Sequence, residues 1–357
     1  MMNILMLSYQ GDMGGQTRLM AFLSKGLAAR GHRVFFGCRK ESKIYSQLQD
    51  SQVRSVPMEF SRWGGKATGE IVKLCRAENI DLINSHSSQD RYAAIRARYF
   101  HGVKAKIVFT RHQPPNSSRL SCLLGSVATH KVIAVSRAVA DGLAERWLSR
   151  SKLVVVYNGL PPEKLVAADE SEVKKLRDRL GIPEGTPVVG CIARKKNQEV
   201  LLKACQFLPP EVVILIVGPG EQPEWRKLIE TLNLPQRIML LPYDYNSTPY
   251  FGLLTVSVLA TSSEGLSYTA LESMALGVPV VASRNSGNPE LIEDNWNGML
   301  YSNDEPAELA AKIKQLLADS GLAGLMVERS RERVLREFTI ENTIVATEAV
   351  FEVVLKE

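Results

Sequence analysis

Short apolar runs bounded by turn residues read as buried strands, and stretches where apolar residues return every third or fourth position read as amphipathic helices. In the first half of the chain this pattern predicts a strand over 3–8, a glycine-bearing loop over 9–15, a helix over 16–30 stopped by Gly31-His32, and a strand over 33–38. Strands follow at 80–85, 106–110, 131–135 and 153–156, with helices at 89–100 and 138–146. The turn cluster Asn158-Gly159-Leu160-Pro161-Pro162 and the charged stretch 163–179 break the rhythm, as a domain boundary would. It restarts with strands at 188–193, 212–217, 238–241, 256–260, 278–282 and 298–301, then closes in helices at 306–319, 323–338 and 340–355. Such alternation predicts an α/β protein built from two Rossmann-like, doubly wound parallel-sheet domains facing a cleft. The expected domains are 1–160 and 161–339, with the C-terminal helix, about 340–357, packing back on the first.

A chain of 357 residues is long enough for two hydrophobic cores, and 45% apolar with 23% charged residues is a soluble, globular composition. No stretch approaches the roughly 18 uninterrupted apolar residues that span a bilayer. The first residues lack the basic start, apolar middle and cleavage site of a secretion signal, so the expected compartment is the cytoplasm. Cys38, Cys75, Cys122, Cys191 and Cys205 are scattered without metal-ligand spacing and are expected as reduced core residues. Charge changes the picture more. Residues 1–160 hold 24 Lys and Arg against 10 Asp and Glu, a net +14, which leaves 20 against 28, or −8, for residues 161–357. A basic half attracts nucleic acid, phosphorylated substrates or an acidic lipid surface, and the two halves are expected to meet different partners.

Glycine-bearing loops stand at the carboxyl ends of predicted strands in both halves, where open α/β sheets bind ligands. Gly11-Asp12-Met13-Gly14-Gly15 has neither the dinucleotide-binding spacing nor the Lys-Ser/Thr ending of a phosphate loop. It suits a backbone approach to an anion and suits a plain tight turn equally. The segment 260–267 follows a strand and opens the helix 268–276, so backbone N–H groups there can face a phosphate. Glu264 in that loop and Glu272 one turn inside the helix can reach different parts of one elongated ligand. Ionised carboxylates are pure acceptors, suited to the vicinal hydroxyls of a sugar or ribose. The plainer alternative makes Glu264 a capping acid and Glu272 a solvated helix residue. Leu271, Met274, Ala275 and Leu276 around Glu272 argue against full solvation. Arg194-Lys195-Lys196, at another strand end, suit a diphosphate, and Gly218 lies in a turn at a third.

Taken in chain order, Gly14-Gly15, Ala134-Val135-Ser136, Val156-Tyr157-Asn158-Gly159, Ile192-Ala193-Arg194, Val217-Gly218-Pro219-Gly220 and Glu264-Gly265-Leu266-Ser267 resemble the retaining GT-B glycosyltransferases of the family-four group. Glu264 and Glu272 match that family's E-x7-E signature, and Gly277-Val278-Pro279-Val280-Val281 follows as it should. The resemblance implies that Glu264 holds hydroxyls of the donor sugar and Glu272 the ribose. Gly265, Leu266 and Ser267 would offer backbone N–H groups to the diphosphate, with Gly14, Gly15 and Gly218 also beside the donor. Arg194 and a following lysine would neutralise the leaving diphosphate. That segment is shorter here than usual and Asn197 replaces a glycine; counting back from Leu201-Leu202-Lys203-Ala204 favours Lys196, with Lys195 the alternative. His112 resembles the family histidine near the reaction centre, which makes His112, Glu264, Arg194 and Lys196 the expected catalytic set.

Members of this family transfer a glycosyl group with retention and in general need no metal or other cofactor, which agrees with the lack of a well-placed Asp-x-Asp motif. The expected co-substrate is a UDP-, GDP- or ADP-linked sugar. The acceptor is expected on the basic first half, as an anionic, lipid-linked or lipopolysaccharide-type glycan of the bacterial cell envelope contacted by His86, Arg91 and Arg111. Cations mixed with aromatics, from Arg91-Tyr92 through Arg96, Arg98, Tyr99, Lys104 and Lys106 and again at Arg62-Trp63-Gly64-Gly65-Lys66, suit peripheral contact with the inner face of an anionic cytoplasmic membrane. No nucleic-acid motif accompanies the charge, and no nucleic acid is expected as partner. Two competing functions are a GT-B-type nucleotide-sugar epimerase, which converts its donor without an acceptor, and a non-catalytic nucleotide-sugar binder. The E-x7-E segment and the basic half favour transfer.

Overall fold

The computed structural model describes residues 1–9, 15–60, 65–115 and 118–357. They form two units, Met1–Pro161 with Thr339–Glu357, and Pro162–Phe338. The first contains β1 (Asn3–Leu7), α1 (Gly15–Ala29), β2 (Arg33–Cys38), α2 (Lys43–Gln47), β3 (Arg54–Pro57), α3 (Gly65–Glu78), β4 (Leu82–Ser85), α4 (Ser88–His101), β5 (Lys106–Arg111), α5 (Arg119–Ala128), β6 (Lys131–Ala134), α6 (Arg137–Ala144) and β7 (Leu153–Val155). Its sheet runs β3-β2-β1-β4-β5-β6-β7, every pairing parallel. Strand order reverses between β1 and β4, so the loops after these strands diverge and leave room for a ligand at their carboxyl ends. Leu5, Leu7, Ile83 and Ile107 pack on Ala67, Ile71, Ala93 and Ala97 of α3 and α4. α2, β3, α3 and α5 were not anticipated from the pattern of apolar positions.

The second unit contains α7 (Glu170–Arg179), β8 (Val188–Ile192), α8 (Glu199–Ala204), β9 (Val213–Gly218), α9 (Pro223–Thr231), β10 (Ile238–Pro242), α10 (Thr248–Leu253), β11 (Val256–Leu259), α11 (Tyr268–Ala275), β12 (Val280–Ser283), α12 (Asn288–Leu291), β13 (Met299–Tyr301), α13 (Pro306–Ala318) and α14 (Ser320–Glu337). Its parallel sheet runs β10-β9-β8-β11-β12-β13 and reverses between β8 and β11. Alternate residues of one strand feed opposite faces. Val189, Cys191, Ile214 and Ile216 meet Trp225, Leu309 and Ile313 on one side, while Val188, Ile192, Val213 and Leu215 meet Leu176, Tyr250 and Phe251 on the other. A sheet covered on both faces explains the unbroken apolar run at 212–217.

The last helix, α15 (Ile340–Lys356), belongs to the first unit. Ile340 N donates to Leu160 O at 2.9 Å, and Thr343 Oγ1 donates to Tyr157 O at 2.9 Å. A Cβ on Gly159 would lie 2.0 Å from Thr339 O, and one on Gly26 of α1 would lie 2.2 Å from Ile344 Cδ1, so both glycines admit this helix. Arg30 and His32 reach Glu348, each at 2.6 Å. With α15 counted, the first unit holds 25 Lys and Arg against 14 Asp and Glu (+11) and the second 19 against 24 (−5). All five cysteines are free and buried. Among the described residues no helix is long and apolar enough to cross a membrane.

Candidate functional site

In the second unit, the loops after β8, β9 and β11 meet at the switch point. The β8 loop is tied by Gln198, a fully buried side chain whose Nε2 donates to Arg194 O at 2.7 Å and whose Oε1 accepts from Lys196 N at 2.6 Å. Two adjacent lysines leave this loop in different directions. Lys195 pairs with Glu224 on α9 and donates to Gln222 Oε1 at 3.2 Å. Lys196 pairs with Glu264, which is only 9% exposed. Burial pushes the Lys196 ammonium down to about 8, the Cys191 thiol opposing and Arg194 adding to the shift. The Glu264 carboxylate in contact favours the charged form. An open pocket of about 260 Å³ lies here, lined by Cys191, Lys196, Thr261, Glu264, Ser267 and Thr269 among others.

Two glycines close the walls of this site. Gly218 has φ +132°, and a Cβ there would lie 2.1 Å from Ala193 O. A Cβ on Gly287 would lie 2.1 Å from Gly265 O, so only glycine lets the loop after β12 rest on the loop after β11. Helix α11 then starts at the pocket. Ser267 caps it, its hydroxyl accepting from Ala270 N at 3.3 Å, and Thr269 Oγ1 donates to Ile192 O at 2.9 Å, anchoring the helix start to the end of β8. One turn on, Glu272 Oε1 pairs with Lys164 Nζ at 3.1 Å, and the same ammonium donates to Ser247 Oγ at 3.2 Å. The unit thus presents two carboxylates about one helical turn and a loop apart, each neutralised by a lysine, beside a helix N-terminus. Such a set can accept hydroxyl protons and receive an anionic group between them.

In the first unit, β4 and β5 are paired neighbours, and the residue after each is a histidine. His86 Nδ1 and His112 Nε2 share a hydrogen bond of 3.0 Å, with the rings stacked 5.3 Å apart at 23°. Burial, then Arg111, pushes His112 down to about 3; burial, then His112, holds His86 well below the ordinary value. Both are therefore neutral at neutral pH. Their outer nitrogens, His86 Nε2 and His112 Nδ1, are buried without a hydrogen-bond partner. With one proton between the rings, one outer nitrogen carries a proton and the other a lone pair. Asp90, fully buried at the start of α4, accepts from Tyr9 N and His86 N, both at 3.2 Å, and from Ser87 N at 2.8 Å. Burial outweighs these bonds and raises it to about 7.

Two family models cover the chain in succession. Glycosyltransferase Family 4 matches residues 13–164, and Glycosyl transferases group 1 matches residues 172–333. The chain is a family-four, GT-B glycosyltransferase. It is 24% identical to the N-acetyl-alpha-D-glucosaminyl L-malate synthase of Bacillus anthracis over 97% of this chain and 96% of that one. It is 25% identical to an N-acetylgalactosamine-N,N'-diacetylbacillosaminyl-diphospho-undecaprenol 4-alpha-N-acetylgalactosaminyltransferase of Campylobacter jejuni over 73% of each chain. Anabaena HepE, solved in complex with UDP, superposes with a TM-score of 0.87 over 99% of this chain and 100% of its own at 20% identity, a likeness of fold.

Within this glycosyltransferase the structure gathers Lys196, Glu264, Gly265, Leu266, Ser267 and the Arg194 and Gly218 turns at one switch point, with Glu272 further along α11. Lys195 is turned to Glu224 instead. In the other unit it joins His86 to His112, and the charge of Arg91 adds to burial in holding the Arg111 guanidinium below its ordinary value. Arg91 is 6% exposed, its guanidinium over Phe109 at 4.6 Å and Tyr92 at 5.1 Å, with Gly125 leaving room for it. Arg111 donates to Gln113 O at 2.9 Å and Pro114 O at 3.3 Å. Gly14, and the segments 10–14 and 61–64, lie outside the described residues, and Gly15 opens α1. Gln198 and Lys164 carry no ligand-type signal in the sequence. Gly287 stands in Ser286-Gly287-Asn288-Pro289-Glu290, which fits the family pattern, and Ser87-x-x-Asp90 has capping-box spacing, but neither segment singles out that residue.

Proposed function

We propose that this glycosyltransferase moves a sugar, with retention and without a metal, from a nucleotide-sugar to a lipid-linked, glycan or lipopolysaccharide-type acceptor. The observation that carries the reading is the paired set Lys196–Glu264 and Lys164–Glu272 around the start of α11. Glu264 takes hydroxyls of the donor sugar, Glu272 takes those of the ribose, and Arg194, Lys196 and the backbone N–H groups of 265–267 receive the diphosphate. As the bond from the anomeric carbon to the diphosphate breaks, charge grows on the leaving oxygen, and cations already in place stabilise it without reorganising. The acceptor oxygen bonds to the same face of that carbon, and its proton passes to the leaving phosphate. His112 is assigned to the donor sugar by sequence match, with the neutral His86 behind it.

The name of the Campylobacter relative places its acceptor on a diphospho-undecaprenol, which favours a lipid-linked acceptor here. Exposed Tyr99, Phe100, Leu120 and Val127 on α4 and α5, flanked by Arg96 and Arg119, support contact of the first unit with an anionic bilayer. The test is a thermal-shift panel of UDP-, GDP- and ADP-sugars, followed by transfer assays with the best donor. One nucleotide series is expected to raise Tm, because a ligand selective for the native state stabilises it. If none does, the donor site is misread. A donor converted with no acceptor present would make the protein an epimerase.

A further inference from the structure

Lys164 stands two residues past the point where the chain enters the second unit. No motif draws attention to it. Its ammonium nevertheless sits between two elements that approach from elsewhere in the unit: Glu272 Oε1 of α11 at 3.1 Å and Ser247 Oγ, ahead of α10, at 3.2 Å. The side chains of the pair are 11% and 15% exposed, and the lysine is far more enclosed than Lys195 at 46% or Lys196 at 32%. A carboxylate so enclosed needs a partner, and removing the partner leaves an uncompensated charge that turns to find water. Lysine provides that partner through one oxygen, and a carboxylate has about four lone-pair directions, so hydroxyl donors can bind alongside it.

We propose that Lys164 is a positioning residue of the donor site, holding Glu272 in the orientation that accepts the ribose hydroxyls, with Ser247 holding Lys164 in turn. This rests on the reading of Glu272 as the ribose acceptor. Lys164 touches neither the sugar nor the reacting atoms, so its loss weakens recognition of the ribose and leaves that of the diphosphate intact.

The experiment measures calorimetric affinity for whichever of UDP, GDP and ADP binds the full-length protein, and for the matching 2′,3′-dideoxynucleoside diphosphate. Wild type is expected to prefer the ribonucleotide tenfold or more, since hydrogen bonds to a charged acceptor are each worth at least that. K164M is expected to lose most of that preference while its affinity for the dideoxy compound stays within twofold, which also shows that it is folded. K164R is expected to restore the preference, and S247A to lower it partway. A K164M protein that keeps or increases the wild-type preference overturns the proposal. If K164M does not fold, S247A decides the matter on the same ratio, with an unchanged preference counting against it. A wild type that binds nucleotide without preferring ribose removes the role of Glu272, and a wild type that binds none of the three removes the donor-site reading; either outcome also overturns the proposal, and both are distinct from a failure of Lys164 alone.

Discussion

Lys195 and Lys196 differ by one position and serve different carboxylates, and the choice is made by the buried Gln198 that fixes the intervening backbone. Arg194→Ala and Glu264→Ala are expected to lower turnover by about a hundredfold or more with little change in Tm, as loss of a group aimed at developing charge does elsewhere. Wild-type turnover in either variant takes that residue out of the mechanism. Lys196 also gives a pH test. Its depressed value means that the ammonium loses its proton as pH rises through about 8, so nucleotide affinity is expected to fall there. Titrating Lys196→Arg, which stays charged, should flatten that fall, and parallel curves would assign it to another group. The histidines set a second window. The unfolded chain takes up protons on them near 6.5, whereas the folded pair resists until far lower, to about 3 for His112. The native state binds fewer protons across that interval, so its stability falls as pH drops through it. Melting curves of His86→Gln/His112→Gln should show a shallower acid slope than wild type; an equal slope would mean that the pair does not titrate as described. From sequence, His112 and the glutamates were legible because they stand in motifs. The His86–His112 bond was not, because nothing in two distant segments announces that their strands are paired.

At the scale of elements, the strands were legible where both faces are buried, since the apolar run itself marks them. β3 escaped because Arg54–Pro57 is a polar edge strand with one strand partner. α5 escaped because its apolar residues do not keep to one face: Cys122 is buried while Leu120, Leu123 and Val127 point outward. α3, by contrast, carries a readable helical pattern in Ala67, Ile71, Leu74 and Cys75. Loop-on-loop contacts are the least legible of all. Nothing in the segment Ser286-Gly287-Asn288-Pro289-Glu290 shows that the neighbour of Gly287 is the Gly265 carbonyl, a backbone atom that cannot rotate away. Gly287→Ala is expected to force the two loops apart, costing about 1–3 kcal/mol and weakening nucleotide binding more than it lowers Tm would suggest. Calorimetry beside a melt checks this, and unchanged binding would show that the loop contact does not shape the site.

Over the whole molecule, the charge contrast between halves survives in softened form, because the acidic α15 is counted with the basic unit. Removing residues 339–357 is expected to destabilise the first unit selectively, uncovering the face of α1 at Gly26 and stripping Arg30 and His32 of Glu348. Limited proteolysis with mass mapping should find new cuts before residue 161 and few between 162 and 338. Cuts spread evenly would mean that the helix stabilises both units alike.

The return of α15 to the first unit also fixes an order of events during synthesis. Domains commonly fold as they emerge from the ribosome, first made, first folded. Here the first unit cannot be completed until residues 339–357 are released, because Gly159 and Gly26 leave room for a helix that is translated after the whole second unit. The second unit, uninterrupted from Pro162 to Phe338, is whole before then. The nascent protein is therefore expected to mature from its middle outward, with its basic, incomplete half waiting longest and most in need of protection.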